Sequence, residues 1–246
     1  MATNKLNNLP ADLSWKTAFL FPIQDQAGRK DILIGGLLIL FLWPIGWILN
    51  LGNRLNMVAR LAKGEAPIFI GFKPWLPTFF RGFVAAKAIS LYLFPSILLL
   101  LGSFLIRQNQ GSILLQYTLL LLSACAFILA IFTLPGCMTV FAVAGDTAIL
   151  KQPVKAFRRT WVHRKLYFKA WRIALTSILL SLLGLIGLGI GFLFTSVWAW
   201  EVTGYVFTVA LYNGDKEQEI INGSLKISGR ADGKNGQTRN PKNIIG

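Results

Sequence analysis

The sequence predicts an all-α, polytopic integral membrane protein of about six helical segments in three hairpins, with four segments spanning and the first hairpin re-entrant. Three observations predict it. Long runs carry no Asp, Glu, Lys or Arg: Ile32–Leu51, Ala88–Ile106, Gln108–Gly145 and Ile173–Trp200. A run of about 20 such residues matches the hydrocarbon core of a bilayer. Hydrophobic residues make up 54% of the chain and charged residues 14%, against about 25% charge in an ordinary soluble domain. Too little polar surface would remain to cover these runs in water. Finally, the 25 Lys and Arg fall mostly between the apolar runs, as loops on the cytoplasmic side do.

Along the chain, residues 1–14 read as a flexible N-terminal tail, 15–212 as the membrane domain and 213–246 as a disordered C-terminal tail rich in Gly, Asn and Lys. Trp15–Ile23 is amphipathic and aromatic and suits the headgroup region. Asp25 is placed to N-cap a helix from Gln26. The run Ile32–Leu51 is interrupted by Pro44-Ile45-Gly46, where a proline removes a helix hydrogen bond. Arg54–Arg81 is basic, and its proline-rich centre GEAPIFIGFKPWLP reads as a surface loop. Phe83–Ile106 and Ile113–Leu134 are predicted spans joined by a turn at Arg107–Ser112, the second kinked at Pro135-Gly136 and continuing toward Ala144. Residues 146–172 interleave cations with aromatic rings, as an interfacial helix does. Ile173–Tyr212 is about twice one span, and its glycines 184, 187, 189 and 191 can open a turn between two helices.

Parity sets the threading. The N-terminal tail, Arg54–Lys87, Lys151–Arg172 and the C-terminal tail are all basic, whereas the Arg107 turn is nearly free of cations. Placing the four basic regions on one side requires an even number of crossings between them. Segments 83–106 and 113–134 form one hairpin and 173–212 a second. The run 32–51 is too short for two crossings and must turn back near Pro44.

The N-terminal portion reads FLFPIQDQAGRKDILIGG, LGNRLNMVARLAKGEAPIF and PWLPTFFRGFVAAKAISLYLFP. This resembles a family of bacterial and archaeal multi-pass membrane proteins, domain of unknown function 4013. Pro22 and Asp25, Gly35 and Gly36, Arg54 and Arg60, Gly64 and Glu65, Pro74 and Trp75, and Arg81 and Gly82 take the family's motif positions in order. FRRTWVHRKLYFKA and GIGFLF are also similar, so the likeness covers roughly residues 15–212. GFKPW stands where the family has a carboxylate-rich run. The resemblance implies a membrane location and no established activity.

Few residues suggest chemistry. Glu201 interrupts an apolar stretch, where an ionisable group marks a functional site, a membrane interface flanked by Trp198 and Trp200, or a pair with a neighbouring helix. Lys151, Lys155, Arg158, Arg159, Arg164, Lys165, Lys169 and Arg172 are expected to fix topology or to meet anionic lipid headgroups. His163 is the single histidine, among cations and without neighbouring ligands, so no metal or cofactor is expected. Cys125 and Cys137 are separated by ~18 Å of helix, beyond disulfide reach. LGLIGLGIG has phosphate-loop spacing but no strand context, and reads as close packing or a turn. No cleavable signal peptide is expected.

These features predict a non-enzymatic membrane protein in membrane organisation or assembly of partners. The alternative is a small transporter or channel with Glu201 in a polar path, and a lipid-modifying enzyme is a third reading. The expected partners are the lipid bilayer with its anionic headgroups and an unidentified membrane protein, not nucleic acid, despite the +15 charge. The expected site is the bacterial cytoplasmic membrane, or a thylakoid membrane if the source is cyanobacterial.

Overall fold

The computed structural model describes residues 13–63, 74–109, 111–145, 147–186 and 189–232. Among these it is helical throughout, with no strand: α1 Trp15–Leu20, α2 Gln26–Leu42, α3 Ile45–Ala62, α4 Trp75–Gln108, α5 Ile113–Ala144, α6 Pro153–Val162, α7 Arg164–Leu182 and α8 Ile190–Asp232. Short 3-10 turns at Phe21–Ile23, Thr147–Lys151 and Leu183–Ile186 join some of them. Among the described residues three helical stretches are long and apolar enough to cross a membrane: Trp75–Gln108, Ile113–Ala144 and Arg164–Ile186.

Local chemistry accounts for most of the boundaries. Ser14 caps α1 and Asp25 caps α2, the latter accepting from the Gly28 N–H at 2.6 Å. Trp43 and Pro44 separate α2 from α3. Gly145 ends α5 in the left-handed region at φ 70°, its N–H donating to the Phe141 carbonyl. Gly189, at φ 78°, opens the turn into α8.

Two boundaries differ from the sequence reading. The helix expected from Phe83 starts at Trp75, because Pro74 is its cap and Pro77 lies in its first turn, where a missing N–H costs nothing. The stretch expected to form one interfacial helix is broken at His163 into α6 and α7. The motif residues Gly64 and Glu65 lie outside the described residues, as do residues 1–12 and 233–246. Leu13 is buried, and α8 carries helix beyond Tyr212 to Asp232.

α5 passes through Pro135 without breaking. Tyr167 of α7 makes this tenable. Its hydroxyl donates to the Phe132 carbonyl at 2.5 Å and accepts from the Gly136 N–H at 3.2 Å. Those two groups are four residues apart, so the phenol sits inside the helix ladder and satisfies both.

The central helices approach closely where glycines meet. α2 packs on α3 and α8, and α3 on α4. A methyl group on Gly52 would overlap the Thr78 carbonyl, and one on Gly82 would overlap the Ile48 carbonyl. Arg81 then ties three helices together, donating to Asn56 Oδ1 of α3 at 2.7 Å and to the Ala142 carbonyl of α5. We expect Gly52→Ala and Gly82→Ala each to destabilise the fold by about 1–3 kcal/mol through overpacking. Gly102→Ala, whose methyl meets only Leu119 at 3.5 Å, is the control. Thermal unfolding in detergent checks this, and equal midpoints for the three variants would contradict it.

Candidate functional site

Three helices converge on the most polar part of the interior. α2 supplies Asp31, α3 supplies Asn50, Asn53 and Arg54, and α8 supplies Glu201. Gly35 and Gly36 let the helices close on one another: a methyl on Gly35 would overlap the Asn50 side chain, and one on Gly36 the Phe194 ring. The Asn50 amide fixes the α2–α3 corner, donating to the Gly35 carbonyl at 3.0 Å and the Gly46 carbonyl at 2.8 Å.

Asp31 and Glu201 are 3% and 4% exposed. Asn53 Nδ2 donates to Asp31 Oδ2 at 2.5 Å, and the carboxyl groups of Asp31 and Glu201 lie close enough to act on each other. Asp31 Oδ1 and Glu201 Oε2 meet no N–H or hydroxyl donor among the described residues. A hydrogen bond between two carboxyl groups needs a proton on one of them, because an ionised carboxylate only accepts. Two buried carboxyls this close favour the form in which one proton is held between them.

Glu201 also lines a small open-sided cleft of about 50 Å³ with Trp47, Asn50, Asn53, Arg54 and Trp200. The Arg54 guanidinium lies over the Trp200 ring, 4.6 Å from its centroid, a cation–π contact. Trp198 on the same helix donates to the Phe19 carbonyl of α1 at 3.2 Å, and Phe21 stacks on Tyr205. The N-terminal segment is thus fastened to α8 on both sides of Glu201.

Glu201 is buried against a neighbouring helix, α2, where its partner is Asp31. The partner is the residue that sequence reasoning missed. Asp31 reads as part of the charged membrane edge Arg29-Lys30-Asp31. α2 and α3 fold back on one another about residue 42, two residues before the turn expected at Pro44, and that register brings residues 31 and 53 together.

The basic residues are not gathered into one site. Lys151, Lys155, Arg158, Arg164, Lys165 and Arg172 are exposed, and Lys169 is half-buried. Lys155, Arg158 and Arg159 stand on α6, whereas Arg164, Lys165, Lys169 and Arg172 begin α7. His163 is buried at the junction. Cys137 is buried against the Tyr92 hydroxyl at 3.0 Å, and Cys125 is exposed.

No family model, no curated protein and no solved structure matches this chain.

The paired carboxyls predict an asymmetry between two substitutions. Glu201→Gln supplies an N–H in place of the shared proton and is expected to stay within about 1 kcal/mol of the parent. Glu201→Ala leaves Asp31 without its partner beside a small void, and is expected to lose about 2–3 kcal/mol. Thermal unfolding of both in one detergent compares them, and equal losses would contradict the shared-proton arrangement.

Proposed function

We propose that this is a non-enzymatic membrane protein that assembles with a membrane partner through the α4–α5 arm. The observation that carries the reading is how little of the arm the rest of the protein covers. Beyond Tyr92 on α4 and before Ala130 on α5, the buried side chains are Ser96, Ser103 and Ser123. All three bond within the pair. Ser96 and Ser123 exchange hydroxyl-to-carbonyl bonds at 2.9 and 2.8 Å, and Ser103 donates to the Gln116 carbonyl at 3.0 Å. Leu98, Phe104, Ile113, Leu114 and Leu121 are exposed along the outer faces. In lipid there is no hydrophobic force between helices, so such an arm is held by its small-residue seam and offers its flanks laterally.

The threading that accompanies this reading is three hairpins, α2–α3, α4–α5 and α7–α8, with the first re-entrant and the basic segments cytoplasmic. The α6 helix, with Lys155 and Arg158 outward, suits an anionic leaflet such as the bacterial cytoplasmic membrane, where each cation adds about 1 kcal/mol. The order of the glycine, proline and arginine motifs supports kinship with the family the chain resembles.

The cleft at Glu201 favours a second reading, a small transporter. The hydroxyl groups weigh against a continuous polar path. Ser90, Thr118, Thr176 and Thr203 each donate to a carbonyl of their own helix four residues back.

Photocrosslinking residues placed at Leu98, Phe104 and Leu121 in native membranes test the assembly reading. The expected result is one discrete protein adduct common to these sites and absent at Leu179, which is exposed on α7. Lipid adducts alone at all the arm positions would overturn it.

A further inference from the structure

We infer that the Asp31–Glu201 pair is a binding site for one monovalent cation, filled by a shared proton or, in exchange for it, by a hard metal ion of the sodium type. This goes beyond the assembly reading and does not depend on it. Two acidic side chains from α2 and α8 are buried beside each other, and neither Asp31 Oδ1 nor Glu201 Oε2 has an N–H or hydroxyl donor among the described residues. Something positive must stand between them. The proton does so in the hydrogen-bonded form. A monovalent ion that replaces it leaves the charge of the site unchanged, and the two carboxyls draw apart to admit it. Carboxylate oxygens are the donors that hard cations take.

Access and selectivity follow from the neighbours. Glu201 lines the small cleft of about 50 Å³, the side from which an ion would approach its carboxyl. From α3 the cleft receives the Arg54 cation, held over Trp200, together with the neutral amides of Asn50 and Asn53. From the start of α2, Asp25 acts on Glu201 through space. To the cleft α8 contributes Glu201 itself and Ser196, whose hydroxyl donates to the Leu193 carbonyl at 2.9 Å. Asn53 orients Asp31 by donating to Oδ2, leaving the other oxygen for the shared cation. The exchange balances: one proton leaves the pair and one monovalent ion enters.

Trp47 and Trp200 line the cleft, so intrinsic fluorescence reports on it. The full chain in nanodiscs is titrated with sodium chloride against choline chloride at constant ionic strength, across several pH values. The expected result is a saturable response to sodium that choline does not give. Below the pH at which the pair releases its proton, the apparent affinity should weaken about tenfold per unit of falling pH, as one-for-one exchange requires. Glu201→Gln and Asp31→Asn should each abolish the response, and if one of them fails to fold the other decides. A response absent in the parent protein, unchanged by acid, or retained in a folded variant would overturn the inference.

Discussion

Inside an apolar medium a polar group finds no water, so each one must be matched by another part of the protein. That constraint organises this molecule. The backbone meets it by becoming helix throughout the described residues. Where Pro135 strains the α5 ladder, the Tyr167 hydroxyl is inserted to serve Phe132 and Gly136. The Asn50 amide serves two backbone carbonyls at the α2–α3 corner, and the Arg81 guanidinium joins α4 to α3 and α5. Asp31 and Glu201 stand apart, since two acids satisfy each other only by holding a positive charge in common. The feature that looks least compatible with a membrane interior is therefore the one with the clearest capacity to bind something.

Close backbone approach is what makes these matches geometrically available. Gly35 and Gly36 on α2 bring it against Asn50 and Phe194, and Gly52 and Gly82 bring α3 against α4. Helices held that near to one another place short polar side chains such as Asp31 and Asn53 within reach. The α4–α5 arm uses serines to the same end, but only within itself. The protein thus has a body knit by glycine contacts and an arm that leaves it.

Much of this was legible in the sequence, for physical reasons. Pro44 and the glycines near 189 mark the turns because proline removes a donor and glycine alone tolerates a positive φ. Asp25 was readable as a cap, since a short acidic side chain can accept from the first-turn N–H groups. The early start of α4 was masked because Pro74 and Pro77 look like loop residues until they are seen to occupy a helix's cap and first turn. The break at His163 carries no proline or glycine, so nothing local announces it. Asp31 was hidden for another reason: its role comes from a partner 170 residues away on α8, and single-chain patterning is blind to such pairings. Its meeting with Asn53 followed from the fold-back at residue 42, whereas its meeting with Glu201 required the third helix.

In the threading proposed above, every basic segment lies on one face of the membrane, and the first apolar run has to turn back between α2 and α3. Replacing Cys125 and Cys137 and introducing a single cysteine at Ala2 allows labelling of intact spheroplasts with a membrane-impermeant thiol reagent. The account predicts no labelling until the membrane is permeabilised. Labelling from outside would mean that the first run crosses the membrane, and would contradict it.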